Sequence, residues 1–164
     1  MGRPEAEERP LAVAIAALVH EGRILLIRRA RGDYPGLWGL PGGKIECGEH
    51  LSEAAEREIR EECGIEAAFV RHLGCVSEHL VEEGRVRRHF ILHVCALAPR
   101  GTMLRPGAEG ELRWCPLEAL GPMRGEIIPS DLLIIERMVA GEGKGYYDCV
   151  LEKTGDAHVL KRFV

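Results

Sequence analysis

The chain has 164 residues, 46% of them hydrophobic, and a formal charge of −4. That length suits one domain with one sizeable core, and the hydrophobic fraction excludes a disordered chain. The negative balance and the lack of a long basic run give no general attraction to nucleic acid or acidic membranes, so neither is an expected partner.

Residues 11–19, LAVAIAALV, are wholly apolar, as a strand covered on both faces would be. His20-Glu21-Gly22-Arg23 reads as a turn, 24–29 as the returning strand, and ARGDYPG (30–36) as a loop marked by Gly and Pro. A helix follows over the acidic stretch before Gly64. Residues 67–80 read as one or two strands, 82–85 as a turn and 86–98 as a strand. In that strand Phe90, Leu92 and Val94 alternate toward one face, and His89, Ile91 and His93 toward the other. His89 and His93 lie about 13 Å apart on such a strand, which excludes them as a zinc pair. Residues 99–111 form a loop, followed by a short strand around Leu112–Cys115. Ser130 is the expected cap of a second helix ending near Gly141. GEGKGYYDCVLEKTGDAHVLKRFV then reads as a glycine-rich connector and two strands joined by Thr154-Gly155-Asp156. This hairpin is expected to cover a sheet edge or to form a dimer contact. Strands interrupted by two helices predict a mixed sheet between helices.

The six cysteines contain no CxxC pair and read as small core residues in a reducing compartment, neither a zinc site nor a disulfide framework. No apolar run reaches the length of a membrane span. The opening MGRPEAEERP has no signal-peptide core, and Ala6 stands where a myristoylation motif at Gly2 needs Ser or Thr. The expected location is the cytoplasm.

Three glutamates, Glu58, Glu61 and Glu62, follow Arg57 on the first helix. At 3.6 residues per turn they fall within an arc of roughly 100°, beside Leu51, Ala55 and Ile59. Like charges at these spacings repel, and carboxylates drawn out of water need a partner. A hard divalent cation resolves both demands, and Mg²⁺ commonly shares its oxygen ligands with substrate phosphates. His50 stands at the helix start, where it caps poorly, so Ser52 is the expected substitute.

The segment runs Gly43, five residues, Glu49, seven residues, then Arg57-Glu58-Ile59-Arg60-Glu61-Glu62-Cys63-Gly64-Ile65. It resembles the Nudix box GX5EX7REUXEEXGU, U being a bulky aliphatic, without a mismatch. The resemblance implies an α/β/α sandwich with a mixed sheet for residues 11 to about 140, and residues 141–164 as a hairpin extension of that single domain. It implies a Mg²⁺-dependent hydrolase, with Mn²⁺ as an alternative ion, acting on a small-molecule nucleotide; a homodimer is the family's frequent arrangement. The implied metal ligands are the Gly42 carbonyl and the carboxylates of Glu58, Glu61 and Glu62. Arg57 and Glu49 orient them from behind. The general base is Glu58 or a carboxylate of the later loop, Glu109 or Glu111, with Glu109 favoured by its resemblance to the late glutamate of MutT-like members.

The stretch from Arg28 to Glu49 resembles the ADP-ribose pyrophosphatase-like and MutT-like branches, which share a Trp before the PGG turn. Arg28, Trp38, Leu40, Arg88 and His89 are the candidate substrate residues. The proline that marks one ADP-ribose subgroup is replaced by Leu80, and the tyrosine of diadenosine polyphosphate hydrolases is absent among Val81, Glu82 and Glu83. The leading expectation is hydrolysis of ADP-ribose or a nucleotide sugar to NMP and a sugar phosphate. The alternatives are a MutT-like (d)NTP pyrophosphohydrolase releasing pyrophosphate and, from another class, a nucleotide-sensing regulatory protein.

Overall fold

The computed structural model describes residues 9–105, 107 and 109–164; Gly2 and Ala6 lie outside the described residues. Among the described residues nine strands form one mixed sheet, in the order β3 (Trp38–Gly39), β2 (Arg23–Arg29), β1 (Leu11–His20), β6 (Arg85–Pro99), β5 (Ala67–Glu82), β8 (Tyr146–Thr154), β9 (Ala157–Phe163). β4 (Gly42–Lys44) pairs with β1, and β7 (Gly110–Pro116) with β2. β1 runs parallel to β6, and β5 parallel to β8. Two helices, α1 (Leu51–Cys63) and α2 (Pro129–Ile134), take opposite faces.

The apolar run of β1 is explained by this layering. Val13 and Ile15 join a core cluster with Leu132, Leu133 and Ile134 of α2, whereas Ala14, Ala16 and Leu18 pack with Ala54, Ala55 and Ile59 of α1. Both faces of the strand are dry, so alternation of polar and apolar residues is absent. The two hairpins β1–β2 and β5–β6 turn on Glu-Gly pairs. Glu21 and Gly22 have φ of 49° and 73°, Glu83 and Gly84 of 51° and 74°. Positive φ at both central residues suits the right-handed twist of the flanking strands.

Several boundaries differ from expectation. β3 and β4 are too short and too glycine-rich to show a period; they exist because Gly39 pairs with Ile27 and Gly42 with Ile15. β5 is a single strand of 16 residues, bent by register shifts near Val70, Leu73 and Leu80. His50 itself precedes α1, and Ser52 is not its cap: the Glu53 carboxylate accepts the His50 N–H at 2.7 Å. Ser130 does not cap the second helix. Pro129 opens it with its pre-set φ, and Ser130 is fully buried in the first turn. After Ile134 the helix widens into a π turn over Ile135–Val139, closed by the Ala140 N–H on the Ile135 carbonyl at 2.8 Å.

The C-terminal strands extend the sheet past β5. They also complete the core: Tyr147, Cys149, Leu151 and Phe163 belong to the cluster under α2, and the Tyr147 and Phe163 rings stack at 4.7 Å. Among the described residues no helix is long and apolar enough to cross a membrane.

Candidate active site

α1 presents its carboxylates unequally. The Glu62 side chain is 5% exposed and that of Glu61 60%; Glu58 is largely covered. Residue 62 follows Ile59 by three and lies on the core edge, whereas 61 has rotated toward solvent. Burial drives the Glu62 carboxyl up to about 8; the Arg29 guanidinium, 3.7 Å away, opposes this and neighbouring Glu58 reinforces it. Its Oε2 atom is buried without a hydrogen-bond partner.

Arg57 holds the rest in place. Its guanidinium donates to Glu49 at 2.6 and 3.1 Å, to Glu58 at 2.7 Å, to Glu61 at 3.2 Å and to the Lys44 carbonyl at 3.1 Å. This forked bond holds the Glu49 carboxyl below its usual range. The glycines make room for the acids. A Cβ on Gly43 would overlap the Glu58 carboxylate, and one on Gly42 the Ala14 carbonyl.

Next to this helix a cleft of about 400 Å³ runs along the other side of the sheet. Arg29, Arg31, Glu109, Gly42, Gly43 and Lys44 line its charged part, and Val13, Ile15, Phe90, Leu92 and Ile128 its apolar walls. Tyr34, Glu78 and Asp131 stand at its buried end. Arg29 spans the two regions, since it faces Glu62 and donates to the Leu40 carbonyl at 2.7 Å. The Leu40 N–H in turn donates to Asp131 at 2.8 Å, and the Tyr34 hydroxyl donates to Glu78 at 2.9 Å.

Glu78 and Asp131 are 2% and 6% exposed. Burial lifts Glu78 to about 7, helped by the charge of Asp131, and lifts Asp131 to about 6 against the Leu40 N–H. Burial beside Glu78 raises the Tyr34 hydroxyl as well. Both carboxyls accept hydrogen bonds, Glu78 from Tyr34 and Asp131 from the Leu40 N–H, while burial favours the protonated form of each.

The sequence-level candidates divide. Gly42, Glu49, Arg57, Glu58, Glu61 and Glu62 come together around the helix. Glu109 lines the cleft, 3.3 Å from Arg31. Glu111 joins neither group: it is exposed on β7 and does not line the cleft. Trp38 is not available for stacking a base. It is 3% exposed, packed in the core with the Arg113 guanidinium 4.8 Å from its ring. Leu40 is fully buried and contributes only its backbone. Arg28 turns outward and donates to the Gly36 carbonyl at 3.1 Å, leaving the cleft to Arg29. Arg88 reaches the rim, 3.5 Å from Asp33. His89, of opposite parity to Phe90, faces the other side of the sheet against Ser77 at 3.1 Å.

Sequence reasoning missed Tyr34, Glu78 and Asp131. Glu78 had a signal: it occupies an inward position between Val76 and Leu80, where a strand facing the core should be apolar.

A family model described as the NUDIX domain matches residues 8–137. A protein of Escherichia coli named CTP pyrophosphohydrolase is 36% identical over 133 residues, covering 79% of this chain and 92% of its own. The ADP-ribose pyrophosphatase of Methanocaldococcus jannaschii is 36% identical over 101 residues, 61% of this chain and 58% of its own. Among solved structures, the MutT protein of Bacillus halodurans superposes with a TM-score of 0.75 at 24% identity, covering 94% of this chain and 96% of that one.

Proposed function

The chain belongs to the Nudix family of pyrophosphohydrolases, and from that premise we propose that it cleaves a nucleoside triphosphate carrying an aminated base, cytosine foremost. The products are the nucleoside monophosphate and pyrophosphate. The buried pair Glu78 and Asp131 at the end of the cleft carries this reading. The pairing edge of cytosine offers an amino donor beside a ring-nitrogen acceptor. A site in which one acid keeps its proton and the other is ionised matches it, the acid donating to the ring nitrogen and the carboxylate accepting from the amino group; uracil presents the reverse pattern and needs the proton on the other acid. The extended similarity to a CTP pyrophosphohydrolase supports the same choice. The expectation of ADP-ribose or a nucleotide sugar keeps the shorter similarity to an ADP-ribose pyrophosphatase in its favour. It leaves the two buried acids without a use.

Nudix hydrolases generally need a divalent ion, typically Mg²⁺. The donors here fit one: the Glu62 Oε2 is buried and accepts no hydrogen bond, with the Arg29 guanidinium 3.7 Å away, Glu58 lies against Gly43, and all are hard oxygens. Glu58, Glu61, Glu62 and the Gly42 carbonyl would hold it. When bound, the ion supplies positive charge that neutralises phosphate oxygens and polarises the phosphoryl group.

The remaining work belongs to the chain. Arg57 fixes Glu58 and Glu61 in one orientation, with Glu49 bracing its far side. Arg29 offers cationic charge where the cleft meets the acidic helix. Water adds to phosphorus at the α–β bridge, one P–O bond of that bridge breaks, and pyrophosphate departs. Glu109 accepts the proton of the water, since it lines the cleft and pairs with the exposed Arg31, whereas Glu58 is engaged by Arg57.

The reading is tested by incubating the protein with Mg²⁺ and a panel of nucleoside triphosphates, ADP-ribose and nucleotide sugars, with products resolved by chromatography. CMP and pyrophosphate from CTP are expected. Faster release of AMP and ribose phosphate from ADP-ribose would overturn the triphosphate assignment.

A further inference from the structure

β5 is bulged where it passes β6. His72 pairs with Cys95, Gly74 with Val94 and Cys75 with His93, so one extra residue sits in β5. In an unbroken strand residues 72 and 75 would point to opposite faces. The bulge re-aims one of them, and both share a face with His93. Gly74 permits it: the backbone there has φ of 143° and is so close to the Gly145 carbonyl that no Cβ fits.

The result is a convergence of three soft or borderline ligands. Cys75 Sγ lies 3.1 Å from His93 Nδ1, and His93 Nδ1 lies 3.3 Å from His72 Nε2. All three donor atoms fall within 4.8 Å of one another. Hydrogen bonding alone satisfies this group badly. The single Nδ1 atom of His93 has one lone pair or one proton, yet it faces both a thiol and an imidazole nitrogen. A tetrahedral ion with metal–nitrogen bonds of about 2.05 Å and a metal–sulfur bond of about 2.3 Å would hold its ligands about 3.3 Å apart (N to N) and about 3.6 Å apart (S to N). The His–His separation already has that value; the Cys75–His93 pair needs to open by about 0.5 Å, and the Cys75–His72 pair, within 4.8 Å, needs to settle near the same S-to-N distance, both by side-chain rotation.

We propose that His72, Cys75 and His93 form a zinc site with its fourth position open to solvent. A thiolate and two imidazoles select Zn²⁺ over the hard ions that suit the glutamates of α1. His72 is exposed and the other two half-buried, which gives the ion a path in. Burial keeps the His93 imidazole neutral, its ligating form, and raises the Cys75 thiol, so binding displaces one proton from sulfur. Four of the six cysteines are buried as expected of core residues, whereas Cys75 is half-buried and Cys47 exposed. His89 takes no part, since it faces Ser77, and the partner of His93 comes from the neighbouring strand.

The site faces away from the nucleotide cleft but is joined to it. His93 pairs with Ala14, which pairs with Gly43, so two strand spacings, roughly 10 Å, separate it from the glycine under Glu58. The opposite faces of β5 and β6 carry Glu78, Phe90 and Leu92 of the cleft wall. An ion tying β5 to β6 would fix the bulge on which the register of Glu78 depends.

The test uses the full chain, stripped with a chelator and kept free of Mg²⁺, and titrated with Co²⁺ as a coloured substitute, then with Zn²⁺. The expected result is one equivalent of Co²⁺ giving a thiolate-to-metal charge-transfer band, displaced by one equivalent of Zn²⁺. The band should vanish in Cys75→Ser and persist in Cys47→Ser, which removes the exposed cysteine. His72→Gln, a change at an exposed side chain that the fold tolerates, should weaken Zn²⁺ binding by more than about 100-fold, beyond the 10–100-fold typical of losing an outer partner. Absence of the band in the wild type, its survival in Cys75→Ser, its loss in Cys47→Ser, or unchanged Zn²⁺ affinity in His72→Gln would each overturn the assignment.

Discussion

At Glu62 the fold buries a carboxylate oxygen that no hydrogen-bond donor reaches. The Arg29 guanidinium, 3.7 Å away, compensates it in part, and a bound cation would complete the compensation. Glu62→Gln should therefore lower kcat at saturating Mg²⁺ by at least about 100-fold, the scale of losing one charge-stabilising group, while leaving the circular dichroism unchanged. Added Mg²⁺ should raise the Tm of the wild type and leave that of Glu62→Gln where it was. Glu78 makes a demand of opposite kind. Its folded-state pKa, about 7, lies above its ordinary 4.5, so the folded state retains a proton that the unfolded chain releases. Stability is thus lost as pH rises from about 4.5 to 7 and is level above that. Asp131, raised from 3.8 to about 6, acts in the same direction at lower pH. Against the wild type, Glu78→Gln should gain on the order of 2–3 kcal/mol in unfolding free energy between pH 5 and 8. Denaturant titrations at both pH values measure this; no change in the difference between the two proteins would refute the burial argument.

At the scale of elements, the acidic helix was legible because its chemistry is local. Glu49, Arg57, Glu58 and Glu62 lie within fourteen residues, and one helical period gathers them. The cleft was not, since Tyr34, Glu78 and Asp131 come from a loop, a strand and a helix start, and only long-range contacts such as Tyr34–Glu78 and Leu40–Asp131 bring them together. The burial of the Trp38 and Leu40 side chains was not legible either, since adjacency to the PGG turn says nothing about which side chain faces inward. The bulge in β5 was beyond any period-two reading, because it breaks the period. Helix and sheet meet at Gly43. Gly43→Ala would press a methyl group onto the Glu58 carboxylate and pull it from Arg57. A fall in kcat of about 10–100-fold with a raised Mg²⁺ requirement is expected from misplacing this ligand. Unchanged Mg²⁺ dependence would separate Gly43 from the metal site.

For the whole molecule, the apolar runs and helix count foretold the sandwich, while the role of the last two strands needed the structure. Expected to cover an edge, they also close the core under α2 through Tyr147, Cys149, Leu151 and Phe163. Burying such side chains contributes about 1.5–3 kcal/mol each, a sum comparable with the total stability of a domain. Ending the chain after Ala140 should therefore prevent cooperative folding, seen as loss of a sigmoidal denaturant transition; a truncated chain that unfolds like the wild type would reduce the strands to an edge cover. The central claim, that two buried acids at the end of the cleft read an aminated base, is tested most directly by the ratio of kcat/KM for CTP over UTP. A site that hydrogen-bonds the amino group should favour CTP by at least about 100-fold, and by up to about 10⁴-fold, with Asp131→Asn collapsing the ratio. Equal rates on CTP and UTP, or a ratio untouched by Asp131→Asn, would contradict the account.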